Sequence, residues 1–155
     1  KQWEEASLLK ANDVIIPGGD NRQHSVLNGL LFLEKDGLDE DSVVVINDGN
    51  RPHISEEIVS KCIKEAKTHL ASVTAYPSTD SILISTDSIS ADHYLDRSQA
   101  YIVQTPQAFN FGLILDAAKK ANKTYTDDGS MVLDVKGVKP FIVLGDPSNI
   151  KITTK

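Results

Sequence analysis

Residues 43–75 are VVVINDGNRPHISEEIVSKCIKEAKTHLASVTA, and they pass from a strand-like pattern to a helix-like pattern and back. The first four residues are β-branched, which is typical of a strand buried on both faces of a parallel sheet. Ser55 and two glutamates then give a helix-start signal, and apolar residues follow at helical spacing up to Ala66. Residues 71–75 form the next strand-like run, which Pro77 ends. This alternation predicts a βαβ unit of an open α/β sheet.

A turn that could bind a ligand precedes this unit. A strand-like run at residues 13–16 breaks at Pro17 and two glycines, and a helical pattern follows. The adjacent glycines let the backbone approach a flat ligand closely, because they carry no Cβ. Unpaired N–H groups at a helix start favour phosphates and carbonyl acceptors. Polar residues cluster there: Asp20, Asn21, Arg22 and Ser25.

The middle of the chain departs from the βαβ rhythm. Residues 81–85 and 89–95 are predicted to be two short strands of a hairpin arm, at approximately 81–100, that projects from the sheet. Its apolar residues need a cover, and a partner subunit is one candidate. The remaining predicted elements are a strand at 101–103, a turn at Pro106, helices at about 109–121 and 127–135, and strands at 141–144 and 150–152. The predicted fold is α/β, with a Rossmann-like, open and mostly parallel sheet.

Composition narrows the class of protein. The 155 residues suit one domain over residues 1–155, and the formal charge of -6 argues against a nucleic-acid surface. Cys62 is the one cysteine, which excludes an internal disulfide, and its amphipathic setting predicts a core residue. No apolar run approaches the roughly 20 residues that cross a bilayer, and signal-peptide features are missing. We therefore expect no membrane partner and a cytoplasmic location.

Polar residues at the predicted strand ends are the candidate site, because ligands of open α/β sheets lie outside the carboxyl ends of the strands. Asp48 could approach a metal or a hydroxyl and Arg51 could bind phosphate, or both belong to an Asx-type turn. Asp80 either orients a ligand or caps its turn. Lys151, between two isoleucines, is either a solvent-face residue or a phosphate contact.

Other motifs add one further phosphate candidate and exclude several classes. Arg97 and Thr105 fall on neighbouring strands, an arrangement that suits a phosphate. Residues 126–128, Thr-Asp-Asp, are interpreted as a helix N-cap. The four histidines have no metal-ligand or triad spacing, and no Walker-type loop is present.

Six segments in order resemble one enzyme family: GGDNRQHSVLNGL, NDGNRP, PSTDS, LDRSQAYIVQTPQAF, YTDDGSMV and NIKITT. Together they resemble the cytidylyltransferases that act on 2-C-methyl-D-erythritol 4-phosphate in isoprenoid synthesis. Relatives of those enzymes act on ribitol 5-phosphate for cell-wall polymers. The resemblance covers essentially the whole chain and implies a nucleotidyltransferase-type fold.

The resemblance also implies roles for particular residues. The implied nucleotide-binding residues are Gly19, Asp20, Ser25, Asp48 and Gly49. The implied polyol-phosphate-binding residues are Asp48, Arg51, Arg97, Thr105 and Lys151. The implied catalytic residues are the three cations of that set, Arg51, Arg97 and Lys151.

The implied chemistry is attack of a polyol phosphate on the α-phosphorus of CTP, with release of pyrophosphate. Such transfer depends on positioning and on cations that absorb developing charge. Mg²⁺ is expected as the cofactor, held mainly by the triphosphate, with no protein metal site. The arm is implied to join two copies into a homodimer.

Two departures from the family pattern affect these expectations. The glycine-rich basic loop that wraps the triphosphate is not in the sequence, so the chain is expected to be a fragment that lacks turnover alone. Asn47 replaces the usual histidine, and Gly49 and Asn50 replace two small apolar residues. 2-C-methyl-D-erythritol 4-phosphate is the favoured acceptor. The alternatives are a ribitol-5-phosphate or related enzyme, and a non-catalytic nucleotide-binding or dimerisation module.

Overall fold

The computed structural model describes residues 12–153. The chain divides into two compact units between Leu38 and Asp39. The assignment of residues 1–155 to a single domain stays a prediction.

The first unit contains helix α1, Arg22–Lys35. Asn21 caps it, because the Asn21 side chain accepts a hydrogen bond from the N–H of His24 at 2.9 Å. The strand predicted at residues 13–16 is wrong: these residues belong to no strand, and Val14 and Ile15 are exposed. A strand needs a neighbour for its N–H and C=O groups, and no described strand pairs with this run.

The second unit is built around a four-stranded sheet. Its elements are β1 (Val43–Ile46), α2 (Glu56–His69), β2 (Ala71–Pro77), β3 (Leu83–Ile84), β4 (His93–Tyr94), a 3₁₀ turn (Arg97–Gln99), β5 (Tyr101–Asn110), α3 (Phe111–Lys120), α4 (Asp128–Lys136) and β6 (Phe141–Leu144). The sheet order is β1-β5-β2-β6. Strand β6 is parallel to β2, whereas β5 is antiparallel to both of its neighbours. Three strands therefore run one way, and β5 runs against them.

Strand β1 differs from its prediction. It was expected to be buried on both faces of a parallel sheet, but it lies at one edge of the described sheet and pairs antiparallel with β5. Val44 is buried, whereas Val45 is 37% exposed. β-Branched side chains favour a strand, but they do not fix the direction of the neighbouring strand.

Strand β5 is longer than predicted. The predicted turn at Pro106 and the helix start at 109 are wrong, because β5 continues through Pro106 to Asn110 and α3 begins at Phe111. The register with β2 shifts between Val73 and Thr74, so Thr105 and Pro106 have no partner in that ladder. Proline has no N–H for a ladder, and a bulge is where a strand tolerates it.

Helix α2 covers one face of the sheet, as its pattern predicts. The Ser55 side chain accepts from the N–H of Ile58 at 3.2 Å and caps the helix. Cys62 and Ala66 are buried and pack with Ala108 of β5 and with Val143. The predicted core position of Cys62 is confirmed, and burial raises the pKa of its thiol.

Strands β3 and β4 pair antiparallel and form a separate two-stranded sheet. Each has two residues, so the strands are shorter than the predicted runs at 81–85 and 89–95. The hairpin exposes its large apolar side chains: Leu83, Ile84, Ile89, Tyr94 and Leu95.

The tip of this hairpin is closed by the Asp87 carboxylate. It accepts from the N–H groups of Ser90 and Ile89 at 2.9 Å each and from the hydroxyls of Ser90 (2.8 Å) and Ser85 (3.1 Å). These bonds, led by the Ser90 N–H, lower the pKa of Asp87 well below its usual range. Because the folded pKa is depressed, the stabilisation is complete above the ordinary aspartate pKa of about 3.9 and is lost as pH falls through the folded value.

Replacing Asp87 by alanine is expected to lower the hydrogen-exchange protection of the Ile89 and Ser90 amides at neutral pH, because both lose their acceptor. In the parent protein this protection is expected to persist on acidification to below the ordinary aspartate pKa. Amide exchange measured by NMR tests both points, with Asp80→Ala as the control. Equal protection factors in parent and Asp87→Ala would contradict the prediction.

Candidate active site

The turn before α1 is closed by the Ser25 hydroxyl. It accepts from the Gly19 N–H at 3.0 Å and donates to the Asn21 carbonyl at 2.9 Å. The Asp20 side chain is almost fully exposed, and its Oδ2 lies 4.0 Å from Nδ1 of His24. Three of the predicted nucleotide-binding residues, Gly19, Asp20 and Ser25, therefore lie in one turn of the first unit.

Gly19 has no room for a side chain. A Cβ there would lie 2.3 Å from Cβ and 2.9 Å from the backbone carbon of His24. Gly29, inside α1, has open space around the same position. The closeness of the turn to His24 thus requires glycine at position 19, whereas the predicted approach to a ligand stays a prediction.

Replacing Gly19 by alanine is expected to push the turn away from α1 and break its bond to Ser25. We expect nucleotide affinity to fall at least about tenfold, since roughly 1.4 kcal/mol of lost interaction has that effect. The matched control, Gly29→Ala, is expected to stabilise α1 by about 1 kcal/mol and to leave affinity unchanged. Calorimetric titration with CTP measures the difference, and equal affinities of the two variants would refute the steric argument.

In the second unit, Asp48 gathers two cations directly after β1. Its Oδ2 lies 2.9 Å from Nζ of Lys151 and 3.9 Å from Nε of Arg51. The Asp48 and Arg51 side chains are only 13% and 11% exposed. The Arg51 N–H also donates to the Asp48 carbonyl at 3.0 Å, which folds the turn back on itself. Water screens the attraction between Asp48 and Arg51 less than that of a surface pair, whereas the Lys151 side chain is 42% exposed.

Thr105 joins this cluster through its hydroxyl. The hydroxyl accepts from the Asp48 N–H at 3.0 Å and donates to Oδ1 of Asn47 at 2.9 Å. Thr105 has no partner in the β2 ladder, and its carbonyl instead accepts from Nδ2 of Asn149. The bulge at Pro106 thus accompanies the contact between Thr105 and the acidic turn.

Lys151 reaches Asp48 from a segment that is not a strand. The predicted strand at 150–152 is wrong, because these residues are irregular. Asn50 holds the segment: its Nδ2 donates to the Ile152 carbonyl, and its own carbonyl accepts from the Ile152 N–H, both at 2.9 Å. The Lys151 side chain contacts Asp48 and is 42% exposed, so its role as a phosphate contact stays a prediction.

Arg97 and Gly49 do not join the cluster by any contact within residues 12–153. Arg97 is exposed and donates from Nη1 to the Thr79 carbonyl at 3.5 Å. Gly49 is exposed with open space around it, so its place does not demand glycine. In the turn at Asp80, the Ser78 hydroxyl supplies the closing side-chain bonds.

The Thr-Asp-Asp motif is an N-cap, as predicted. Asp127 caps α4, accepting from the Ser130 N–H at 3.1 Å. A second carboxylate oxygen of Asp127 accepts from Nε2 of Gln107 at 2.9 Å. Its role here is to fix the start of α4 on β5.

Three side chains that join the cluster were missed from the sequence: Asn47, Gln104 and Asn149. Asn47 had a signal, because it departs from the family pattern. Gln104 donates to carbonyls of the irregular segment after β6, and Asn149 donates from that segment to the Thr105 carbonyl of β5; no spacing rule reveals such bonds.

Arg51 and Lys151 also line a pocket of about 350 Å³ with Tyr76, Ile102 and Asn149.

Among residues 12–153, no group of three or more His, Cys, Asp or Glu side chains could hold a metal ion. No helix in this part of the chain is long and apolar enough to cross a bilayer. The cluster therefore offers cations and hydrogen-bond donors, which suit an anionic ligand.

Comparison with known proteins decides the family. The family model described as 2-C-methyl-D-erythritol 4-phosphate cytidylyltransferase, IspD, matches residues 2–155. The chain belongs to this family. The resemblance inferred from the six segments is confirmed.

Relatives in the IspD family are about two fifths identical to the chain over the aligned residues. The 2-C-methyl-D-erythritol 4-phosphate cytidylyltransferase of Clostridium botulinum (strain Langeland) is 41% identical over 143 residues, which are 90% of this chain and 60% of the relative. That of Thermosipho africanus is 38% identical over 146 residues, 90% of this chain and 62% of the relative. The chain thus spans about three fifths of the length of these relatives.

Solved IspD structures confirm the fold class. The Francisella tularensis 2-C-methyl-D-erythritol 4-phosphate cytidylyltransferase has a TM-score of 0.86 at 25% identity, over 99% of this chain and 73% of that one. The 4-diphosphocytidyl-2C-methyl-D-erythritol synthase of Anaerococcus prevotii has a TM-score of 0.81 at 33% identity, over 99% and 66%. The α/β, nucleotidyltransferase-type fold predicted from the sequence is the observed one.

Proposed function

We propose that the protein is a CTP-dependent cytidylyltransferase that converts 2-C-methyl-D-erythritol 4-phosphate to its CDP derivative and releases pyrophosphate. The observation that carries the proposal is the convergence of Lys151 and Arg51 on Asp48 at the end of β1. Membership of the family supports the reaction, and the relatives, which are 2-C-methyl-D-erythritol 4-phosphate cytidylyltransferases, support this acceptor.

Arg51 and Lys151 hold the attacking phosphate in this proposal. Both cations now face a carboxylate that carries one negative charge, and a phosphate monoester offers more charge and three oxygens. Lys151 contributes a point charge, whereas Arg51 contributes a planar fork of donors. The Thr105 hydroxyl turns from Asn47 to a phosphate oxygen. Arg97, exposed after the arm, is the third cation proposed for the phosphate.

We assign CTP to the residues that are predicted to bind the nucleotide. Gly19, Asp20 and Ser25 recognise the cytosine side of CTP, an assignment that membership of the family supports. Asp48 and Gly49 line the nucleotide and the acceptor. Mg²⁺ when bound would neutralise charge on the triphosphate. In this proposal the triphosphate would supply most of the oxygen ligands of the ion.

In the chemical step, a phosphate oxygen of the acceptor forms a bond to the α-phosphorus of CTP. The bond from the α-phosphorus to the oxygen that bridges to the β-phosphate breaks, and pyrophosphate leaves with that electron pair. No protein base is required, because the attacking phosphate is already anionic. Arg51, Arg97 and Lys151 act by positioning and by charge.

We also propose that two copies pair through the hairpin of β3 and β4. Ile89 at its tip is 91% exposed and Tyr94 is 67% exposed, which is unusual for apolar side chains with no cover. We propose a cytoplasmic location, where CTP is available.

The test incubates the complete gene product with CTP and Mg²⁺, and with either 2-C-methyl-D-erythritol 4-phosphate or ribitol 5-phosphate. Pyrophosphate release with the first acceptor is expected. Release only with ribitol 5-phosphate would transfer the proposal to that acceptor. No release with either, together with measurable CTP binding, would favour a non-catalytic nucleotide-binding module.

A further inference from the structure

The segment after β6 is fastened to the sheet by side chains rather than by a strand ladder. Gln104 is 3% exposed, and its Nε2 donates to the carbonyls of Asp146 (2.9 Å) and Asn149 (3.1 Å). Asn149 is 1% exposed, and its Nδ2 donates to the Thr105 carbonyl at 2.9 Å. A buried amide that makes such bonds specifies one arrangement of the backbone, because breaking them leaves buried carbonyls without donors.

Arg51 uses the same anchor. Its Nη1 donates to the Asn149 carbonyl at 2.7 Å, so this carbonyl accepts from both Arg51 and Gln104. Nε of Arg51 is buried and has no hydrogen-bond partner in residues 12–153, since Oδ2 of Asp48 lies 3.9 Å away. The short bond that orients the guanidinium is therefore the one to Asn149, and the buried Nε–H reports any change in how the guanidinium is set.

The geometry points to Asn149 as a positioning residue that sets the Arg51 guanidinium for phosphate, with Gln104 as its support. Lys151 is two residues further along the same segment, so the anchor also fixes where its ammonium can reach Asp48. The inference rests on the proposed function for the identity of the phosphate, but not for the geometry. Asn149 touches neither acceptor nor nucleotide in this scheme and acts through Arg51.

The discriminating variant is Asn149→Asp, which keeps the shape of the side chain but replaces the Nδ2 donor by an oxygen that faces the Thr105 carbonyl. Asn110→Asp is its matched control. Asn110 also donates from Nδ2 to a backbone carbonyl, that of Glu40 at 3.0 Å, and aspartate retains its N-cap role at α3. If Asn149→Asp does not fold, Gln104→Met removes the two supporting donors without adding a charge.

The readout is the Nε–Hε NMR cross-peak of Arg51 during titration with inorganic phosphate. In the parent protein and in Asn110→Asp, phosphate is expected to shift this peak. In Asn149→Asp, or in Gln104→Met, we expect the Arg51 peak to be displaced before any ligand is added. We also expect phosphate to bind at least about tenfold more weakly, which corresponds to a loss of roughly 1.4 kcal/mol. With the complete gene product, KM for the polyol phosphate should rise while KM for CTP does not.

An unchanged Arg51 peak and phosphate affinity within twofold of the parent, in a folded variant, would overturn the inference. So would a parent protein whose Arg51 peak does not respond to phosphate. Failure of the parent to release pyrophosphate is a separate result: it would defeat the proposed reaction, while the response of the Arg51 peak would still decide the role of Asn149.

Discussion

Replacing Arg51 by methionine is expected to lower kcat/KM of the complete enzyme for the polyol phosphate by roughly 10- to 150-fold, the equivalent of one charge-assisted hydrogen bond of about 1.5–3 kcal/mol. Arg51 is held between Asp48 and the Asn149 carbonyl, and its side chain is 11% exposed. Methionine fills similar space without the charge or the donors. Because the phosphate is the attacking group, the loss should affect both binding and alignment, so kcat should fall together with rising KM.

Two further variants separate charge from geometry at this site. Arg51→Lys keeps the charge but loses the planar fork, and we expect an intermediate loss. Lys61→Met removes an exposed cation whose ion pair in the described part of the chain is with Glu57, at 2.6 Å, and should leave kcat/KM unchanged. Steady-state kinetics with pyrophosphate detection measures all three. Full activity of a folded Arg51→Met variant would remove Arg51 from the proposed machinery.

Local signals in the sequence were reliable where the structure depends on neighbours along the chain. Helix α2 begins after Ser55 because the serine caps it, and Cys62 lies on its buried face. Asp127 likewise caps α4. Each of these depends on residues within one or two turns of the helix, so spacing alone is sufficient.

Predictions failed where the structure depends on distant partners. Residues 13–16 have strand composition but pair with no strand among residues 12–153, and β1 has an antiparallel neighbour that its composition could not specify. Pro106 indicated a turn, yet the strand continues because a bulge carries the residue that cannot donate. Strand pairing is non-local, and single residues do not encode it.

In the candidate site, too, residues in local motifs could be named from the sequence, whereas contacts between distant residues could not. The sequence names Asp48 and Arg51 as candidates because a polar turn after a predicted strand faces the ligand edge of the sheet, and the structure places the two side chains together. Lys151 was ambiguous by alternation, and the structure places it beside Asp48 from an irregular segment. The side chains that hold that segment bond to residues far away along the chain. Gln104 and Asn149 are 45 positions apart, and Asn149 and Thr105 are 44 positions apart. Such bonds leave no periodic trace in a sequence.

Replacing Gln107 by methionine is expected to lower the free energy of unfolding by about 2–5 kcal/mol, the sum of one or two buried polar groups left without partners. Gln107 is fully buried, and its Oε1 accepts from the buried Gly129 N–H at 2.9 Å. Its Nε2 donates to Oδ2 of Asp127 at 2.9 Å and to the Gln104 carbonyl at 3.3 Å. One side chain thus fastens the first turn of α4 to β5, and methionine can replace none of these bonds.

Urea denaturation followed by circular dichroism measures this change, provided that the transition is two-state. Gln99→Met is the matched control. Gln99 is exposed, and its only hydrogen bond to a side chain within residues 12–153 is a long one to Asp96 at 3.5 Å. Its replacement should therefore change the free energy of unfolding by less than about 0.5 kcal/mol. A second variant, Gly129→Ala, disturbs the same junction between α4 and the sheet. The added Cβ would lie 2.5 Å from Cγ1 of Val73 and would push the first turn of α4 away. If Gln107→Met were as stable as Gln99→Met, the prediction would be wrong. Apolar contacts alone would then hold α4, and the buried Gln107 amide would contribute nothing to the free energy of unfolding.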